Sequence, residues 1–442
     1  MKHTIVPNQI TCLMAHNAKR LIAEPVFFHA SSPAHRFWAI NWKDSEERFE
    51  WTVEAPSAGD YFVDVLINGP TGCTVTIASE INRTQIQCTG VWGKIRGAQA
   101  ISLPAGVSTI SISADKPDNE FKSLELIAAA DADAIEQRIR AFRVSTEWLK
   151  EAQYGLMFQW GQWGFPKTGP AKAWPQQIID FDVDSFVERM ADMSAGYVVW
   201  SVSWWSYYVP APIQAVDEIV SGHTSPRDLI GELADALNAR GIKLMLYYHA
   251  GGESKDWWSK NWVSPDDKTR LFANWKKVIS EIGNRYGSRL AGWFFDDDNI
   301  TYPANYEELG AAARAGNPDR LISYNSWIGP KGTEFQDLAF GEGCTGDTPV
   351  SVDEEGVIVS GNCQGLQAHG MFIMEQDWGV HEENTVITPT VSKEDAVRWA
   401  QIAAARKQAL TYTLMMYEDG SMHPQTIETM KAVKEALSKE CS

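Results

Sequence analysis

The segment "SPRDLIGELADALNARGIKLMLYY", residues 225–248, joins a helical pattern to a strand pattern. Its first part predicts a helix with Ser225 at the N-cap, Pro226 at the first helical position, acidic residues early and a closing glycine. Its last part, "IKLMLYY", is almost continuously apolar, which is typical of a parallel strand buried on both faces. A helix that runs into such a strand is the repeating unit of α/β folds.

The same rhythm continues on both sides of this segment. Further apolar runs separated by helical patterns are "YGLMFQW" from 154, "YVVWSVS" from 197, "LAGWFFD" from 290, "LISYN" from 321, "DLAFGE" from 337, "MFIME" from 371 and "LTYTLMM" from 410. Eight strands with intervening helices predict a (β/α)₈ barrel. The connections 326–336 and 343–370 have no strong helical pattern, so we expect an irregular TIM-like barrel.

The N-terminal part has a different pattern. Residues 1–130 alternate apolar and polar positions in short runs, such as "FEWTVEAP" and "GDYFVDVLING", that Gly, Pro and Asn separate. We predict an all-β sandwich here, similar to carbohydrate-binding modules, with sugar binding and a purely structural role both open. Residues 131–153 predict a helical connector, and residues 154–442 the (β/α)₈ catalytic domain.

Composition excludes several classes of function. The 442-residue chain has a net charge of −18, which argues against nucleic acid or an anionic membrane surface as the main partner. None of the six cysteines forms a CxxC pair, so we expect free thiols and no zinc site, with a Cys73–Cys88 bridge as the alternative in an exported protein. The chain start lacks a signal-peptide pattern, which favours a cytoplasmic protein. Homo-oligomerisation stays open.

Polar and aromatic residues follow the predicted barrel strands. Because barrel enzymes carry their chemistry at the carboxyl ends of the strands, these residues are expected to meet at one mouth. The residues at the strand ends are Gln159, Trp160, Ser203, Trp204, Trp205, Tyr247, Tyr248, His249, Asp296, Asn325, Glu342, Glu375, Tyr417 and Glu418. A mouth rich in carboxylates and aromatic rings indicates glycoside hydrolysis, which needs one ionised and one protonated carboxyl group. The substrate partner would be an oligosaccharide or a glycoside, and the reaction needs no cofactor and no catalytic metal.

Several motifs resemble the α-L-fucosidases of glycoside hydrolase family 29. "YGLMFQWGQWGFP" is similar to the family's opening strand, FGLFIHWG, and residues 225–248 are similar to its SPKRDLVGELVKAARKRGLKFGLYYS segment. "AGWFFDDD" falls at its D-G-x-W-F-D-G strand, and "LTYTLMMYEDGSMHPQTIETMKAV" is similar to its LLNVGPTPDGxIP segment. The resemblance spans residues 155–436 and implies a distorted barrel that acts on fucosides.

The chain departs from this family in the pocket. The His of HWG is Gln159, and the KHH triplet is replaced by Ser203, Trp204 and Trp205. In the family these His residues hold hydroxyl groups of fucose. An indole donates one hydrogen bond and accepts none, so the resemblance implies a rebuilt pocket.

The resemblance and the strand end together make Asp296 the candidate nucleophile. Asp298 is the second choice, or an acceptor for a sugar hydroxyl, and a calcium site is the alternative for the "DDD" run. The candidates for the acid/base are Glu342, then Glu375, with Asp377 as a third option. The expected substrate-binding residues are Gln159, Trp160, Trp163, Trp204, Trp205, Tyr248, His249, Asp298, Asn325 and Trp378.

The sequence therefore predicts an exo-acting, retaining glycoside hydrolase, most similar to α-L-fucosidases and acting on a fucose-like or modified deoxy sugar. A glycosidase with a different sugar specificity and a non-catalytic glycan-binding protein are the alternatives.

Overall fold

The computed structural model describes residues 2–24, 26–28, 35–161, 164–203, 207–250, 254–340 and 351–440. The chain forms two compact units. The first comprises Met1–Arg143 with the short segments Ser264–Asp266 and Ile328–Glu334. The second comprises Val144–Val263, Asp267–Trp327 and Phe335–Ser442, and is called the barrel unit below.

The first unit is a β-sandwich, as predicted. Its strands are β1 Lys2–Thr4, β2 Thr11–Met14, β3 Lys19–Arg20, β4 Phe27–Phe28, β5 Trp38–Trp42, β6 Arg48–Ala55, β7 Gly59–Asn68, β8 Thr74–Ala78, β9 Arg83–Gln87, β10 Gly93–Arg96, β11 Ile101–Leu103, β12 Gly106–Ala114 and β13 Asn119–Ala128. One sheet has the order β1-β6-β12-β8-β9, with β3 beside β6. The other has the order β10-β7-β13-β5-β4, with β11 beside β7 and β2 beside β13.

Alternation of buried and more exposed residues builds the sandwich core. On β6, Phe49, Trp51 and Val53 are buried, whereas the residues between them have greater exposure. Trp42 and Phe121 of the opposite sheet meet Phe49 edge to face, with ring centroids 5.0 and 5.1 Å away. The period of two read from the sequence is therefore the inward and outward alternation of a sandwich.

Two helices follow the sandwich, α1 Ala132–Phe142 and α2 Glu147–Ala152. The first belongs to the sandwich unit and the second to the barrel unit. The domain boundaries 1–130, 131–153 and 154–442 remain predictions, since the first compact unit also includes Ser264–Asp266 and Ile328–Glu334.

The barrel unit contains all eight predicted parallel strands. They are β14 Tyr154–Phe158, β15 Tyr197–Ser203, β16 Lys243–Tyr248, β17 Leu290–Phe295, β18 Leu321–Tyr324, β19 Leu338–Ala339, β20 Gln367–Ile373 and β21 Ala409–Thr413. They form one sheet in the order β18-β17-β16-β15-β14-β21-β20-β19. The Asp337 N–H donates to Ile322 O over 2.9 Å and links β18 to the start of β19, which brings the two ends of the sheet together. The fold is therefore a TIM-like barrel.

Helices follow most strands of the barrel. They are α3 Trp174–Asp180, α4 Val183–Asp192, α5 Gln214–Ile219, α6 Leu229–Ala239, α7 Lys255–Asn261, α8 Thr269–Tyr286, α9 Asp298–Thr301, α10 Tyr306–Ala313, α11 Lys393–Ala405 and α12 Pro424–Glu440. In the described part of the two connections that we expected to be helix-poor, 326–336 and 351–366, no helix forms. None of the helices within the described ranges is long and apolar enough to cross a membrane.

The predicted N-cap of α6 is wrong by three residues. Asp228, and not Ser225, caps the helix, because its Oδ1 accepts the Gly231 N–H at 2.8 Å. The Ser225 hydroxyl instead accepts the Arg227 N–H at 3.1 Å and shapes the turn before the helix. Both are good N-cap residues, and the sequence pattern did not separate them.

Strand alternation sorts the barrel side chains into two layers. Met245 and Tyr247 of β16 and Phe294 of β17 belong to the core inside the barrel. The next residues, Tyr248 and Phe295, pack outward on Trp275 of α8, with ring centroids 5.8 and 5.3 Å away. The residue after Phe295 therefore returns to the inner side, at the mouth of the barrel.

Candidate active site

Asp296 lies at that mouth, directly after β17. Its Oδ2 accepts a hydrogen bond from the Tyr247 hydroxyl at 2.6 Å. Its Oδ1 accepts hydrogen bonds from Asn325 Nδ2 at 2.8 Å and from the Asp297 N–H at 2.9 Å. Three donors stabilise the ionised form of a carboxylate and fix its orientation. Asp296 remains partly exposed, so a ligand in the mouth can reach its oriented carboxylate.

Asn325 reaches Asp296 because β17 and β18 are neighbours in register. Phe295 pairs with Tyr324, and the Asn325 N–H donates to Phe295 O at 2.8 Å. The Asn325 side chain then extends from the end of β18 toward the carboxylate. The structure thus brings together two of the residues that the sequence predicts for the site. The contact that it shows for Asn325 is with Asp296, and the predicted contact of Asn325 with substrate stays a prediction.

Asp297 points away from Asp296 and pairs with His249. Its backbone has φ 60° and ψ 38°, the left-handed conformation, which turns the chain out of the strand. His249 Nε2 donates a hydrogen bond to Asp297 Oδ2, and both side chains are buried. The structure therefore gives His249, an expected subsite residue, a carboxylate partner within the protein.

Asp298 is enclosed at the start of α9. Its Oδ1 accepts hydrogen bonds from the Tyr306 hydroxyl at 2.7 Å and from the Thr301 hydroxyl at 3.0 Å. Only 1% of Asp298 is exposed. This placement makes Asp298 an anchor for the short helix, in place of the expected contact with a sugar hydroxyl or a role as nucleophile.

The three consecutive aspartates therefore diverge. Asp296 faces the mouth, Asp297 faces His249, and Asp298 faces Tyr306. A calcium ion needs six to eight oxygen ligands that converge, and these carboxylates are directed to different partners. Among the described residues, no group of three or more His, Cys, Asp or Glu side chains is arranged to hold a metal ion.

Gln159 follows β14 and is 7% exposed. Phe158 before it packs outward on Phe186 of α4 (centroids 5.2 Å apart), so strand alternation places Gln159 on the barrel side. Its Oε1 is buried and accepts no hydrogen bond from the described residues. A buried acceptor without a donor costs about 1–3 kcal/mol, which a ligand hydroxyl would recover.

Two expected subsite residues lie on the wrong side of the sheet. Trp160 packs against Phe181 and Trp200 in the layer between strands and helices, with centroids 4.7 and 5.4 Å away. Tyr248 lies in the same layer and shares a hydrogen bond of 2.7 Å with the Tyr207 hydroxyl. Both are outward residues of their strands, so they contribute to packing between barrel and helices and not to the mouth.

Four of the predicted site residues fall outside the described residues. They are Trp163, Trp204, Trp205 and Glu342. Their roles stay predictions from the sequence.

Glu375 follows β20 and is 2% exposed. Its Oε1 accepts a hydrogen bond from the Thr426 hydroxyl of α12, and its Oε2 accepts one from the Met415 N–H at 3.1 Å. Burial raises the pKa of Glu375 to about 7, although both hydrogen bonds act in the opposite direction. The carboxyl group therefore keeps its proton to near neutral pH, but both oxygens already have protein partners.

Trp378 is partly buried and packs against the core inside the barrel, as a wall near the mouth would. The backbone N–H of Trp378 donates to Asp377 Oδ1 at 2.7 Å. The same Asp377 oxygen lies 3.3 Å from His381 Nε2. Asp377 is thus engaged with its own loop, which weakens its case as the acid/base.

Tyr247, one of the residues at the strand ends, is a site residue that the sequence does not predict to bind substrate. The run "YY" at the end of β16 offers two tyrosines, and the predicted subsite residue is the second, Tyr248. The register of β16 would have decided the matter, because Met245 and Tyr247 share the inner face. The His249–Asp297 contact was also missed, and no signal in the sequence pairs these two residues.

Comparisons with known proteins give no match to a protein-family profile and none to a curated protein. Solved structures do match. The endo-fucoidan hydrolase MfFcnA4 from glycoside hydrolase family 107 aligns over 67% of this chain and 54% of its own, with a TM-score of 0.52 and 16% identity. The α-L-fucosidase AlfC from Lactobacillus casei, in complex with its α-L-fucose product, aligns over 67% of this chain and 99% of its own, with a TM-score of 0.49 and 18% identity. At such identities the likeness to MfFcnA4 shows a shared fold.

Proposed function

We propose that this protein is a retaining, exo-acting glycoside hydrolase for α-L-fucosides or closely related deoxy sugars. The observation that carries the proposal is Asp296, a partly exposed carboxylate that three donors orient at the carboxyl end of the fourth barrel strand. This is where barrel enzymes hold their reacting groups. The motif resemblance to α-L-fucosidases and the fold shared with a protein that hydrolyses fucoidan support the sugar class.

The proposed reaction has two steps. Asp296 attacks the anomeric carbon and forms a glycosyl ester, while a protonated carboxyl group gives its proton to the leaving oxygen. The same group, now ionised, then takes a proton from water, which attacks the ester, releases the sugar and regenerates Asp296. The hydrogen bonds from Tyr247 and Asn325 hold the carboxylate in line for attack.

We assign the acid/base role to Glu342 first and to Glu375 second, as the sequence suggests. A pKa of about 7 suits Glu375 for proton donation at neutral pH. Its enclosure works against that role, because both oxygens are bound by Thr426 and Met415 and little of the side chain is accessible. These contacts favour Glu375 as a structural acid and leave Glu342 as the first choice.

Gln159 supports a ligand at the same mouth. Its buried Oε1 accepts no hydrogen bond from the described residues, and it stands where the resembling family has a His that binds fucose. An amide oxygen accepts a hydrogen bond from a sugar hydroxyl, and it cannot serve as a cationic donor. The proposed pocket therefore binds a related sugar with altered polar contacts.

A glycan-binding protein without activity is the second candidate. The observation that favours it is the replacement of the family's pocket His residues by Gln159, Trp204 and Trp205. The oriented Asp296 favours catalysis instead, since a binding protein has no need of a positioned nucleophile.

A panel of nitrophenyl glycosides tests the proposal. We expect release of nitrophenol from the α-L-fucoside or a related deoxy sugar, and a loss of at least about 10³-fold in kcat for Asp296→Ala. Asp319→Ala, an exposed aspartate on the turn before β18, is the matched control and should keep wild-type activity. Binding of the sugars without any hydrolysis would establish the second candidate, and an active Asp296→Ala variant would remove the nucleophile assignment.

A further inference from the structure

Residue 297 has an unusual backbone for an aspartate. Its φ of 60° and ψ of 38° lie in the left-handed region, which only glycine enters without a steric penalty. The N–H of this left-handed residue donates to Oδ1 of Asp296 at 2.9 Å. One of the three donors to the proposed nucleophile therefore belongs to the left-handed turn.

The side chain of the same residue is tied down by His249. His249 Nε2 donates to Asp297 Oδ2, with side-chain exposures of 3% and 7%. The backbone of His249 is itself held, since the Ser203 hydroxyl donates to His249 O at 3.0 Å. Hydrogen bonds thus connect the end of β15 to the residue after β16, and that residue to the turn after β17.

We propose that the buried His249–Asp297 pair is a positioning device that fixes the turn at residue 297 and so keeps its N–H on the Asp296 carboxylate. The inference rests on the proposed function, because it gives the pair a part in aiming the nucleophile. His249 and Asp297 act through Asp296 and make no contact of their own with the reacting atoms. Burial of these two polar side chains also costs desolvation, which a purely structural contact between apolar residues would avoid.

Three substitutions at one position separate the parts of this device. Asp297→Gly removes the pair but enters the left-handed region freely, Asp297→Asn keeps a left-handed preference and a polar side chain, and Asp297→Ala has neither. We expect kcat to fall about threefold in the Gly and Asn variants and more than about tenfold in the Ala variant, with KM within about threefold throughout. His249→Gln, which retains a donor at the same distance along the side chain, should resemble the Asn variant.

The matched control lies in the sandwich. Asp118 also has a left-handed backbone, with φ 64°, and its carboxylate is exposed beside Lys43. Asp118→Ala makes the same chemical and conformational change far from β17 in the chain, and it should leave kcat and KM unchanged. Melting temperatures of all variants are measured in parallel.

The outcomes are distinct. The positioning role is supported if kcat falls most in Asp297→Ala and less in Asp297→Asn and Asp297→Gly, while the melting temperatures do not follow the same order. Equal activity per folded molecule in all three Asp297 variants, with lowered melting temperatures, would make the pair merely structural and overturn the inference. Failure of the wild-type protein to hydrolyse any glycoside would instead refute the proposed function, so the two failures are told apart by the wild-type assay.

Discussion

Exposure and hydrogen-bond partners separate the three adjacent aspartates at the end of β17. Asp296 alone of the three is more than marginally exposed, whereas Asp297 and Asp298 are 5% and 1% exposed. The resembling family has glycine after its nucleophile, and the left-handed backbone of Asp297 explains why glycine suits that position. This chain uses an aspartate there, with His249 as its partner.

Glu375 should make the stability of the protein depend on pH. Its folded-state pKa of about 7 lies above the ordinary value of 4.5, so the folded state binds a proton that the unfolded state has released between these pH values. The free energy of unfolding therefore falls as pH rises through this window, by at most about 3 kcal/mol. Glu375→Gln is neutral in both states and should lose this slope.

Urea unfolding of wild type and Glu375→Gln at about pH 5 and about pH 8 measures the effect. We expect the variant to gain stability relative to wild type as pH rises. Parallel slopes in the two proteins would show that Glu375 titrates normally.

The kinetics of Glu375→Gln and Glu342→Gln decide which residue is the acid/base. The variant that lacks the acid/base should lose most activity on substrates with poor leaving groups, because these need a proton on the leaving oxygen.

At the scale of elements, Arg320 anchors the start of the strand that carries Asp296. It is fully buried, and its guanidinium donates to carbonyl oxygens of Gly283, Gly287, Leu290, Ala313 and Ala315. These carbonyls belong to the C-terminal ends of α8 and α10 and to the first residue of β17. A cation at two helix C-termini is favourable, because carbonyl groups without helical partners gather there.

Arg320→Met should lower the free energy of unfolding by at least about 3 kcal/mol, since several buried carbonyl groups lose their donor. Arg320→Lys should recover part of the loss, because an ammonium group has fewer donors and no fork geometry. Arg398→Met, at an exposed position of α11, is the control and should change stability by less than about 0.5 kcal/mol. A loss at Arg320 no greater than this control would contradict the anchoring role.

The strands were predictable and the contacts between them were not. Apolar runs such as "LAGWFF" identify a strand buried on both faces, and all eight runs form barrel strands. The sequence of a single strand shows that side chains alternate between two faces, but it does not show which face lies inside the barrel. The sequence therefore favours Tyr248 as the subsite residue, although Tyr247 faces the mouth. The His249–Asp297 contact depends on how β16 and β17 align, and their register shifts between Leu244 and Met245.

At the scale of the whole molecule, charge limits the substrates that approach the barrel. A net charge of −18 repels polyanions over a distance that salt shortens. We expect kcat/KM for a neutral nitrophenyl fucoside to change less than about twofold between about 20 mM and about 500 mM salt, and kcat/KM for a sulfated fucoside to rise with salt. A sulfated substrate that reacts fastest at low salt would indicate a cationic subsite and contradict this repulsion by the net charge.

The central claim is that Asp296 becomes covalently bonded to the sugar. A 2-deoxy-2-fluoro-α-L-fucosyl fluoride slows the second step of a retaining glycosidase more than the first, so the ester accumulates and mass spectrometry of peptides locates it. The account predicts a mass increase of one fluorofucosyl group on the peptide that contains residues 290–299, with fragment ions that place it on Asp296. A label on Asp297, Asp298 or any other residue, or hydrolysis of fucosides with no label at all, would contradict it.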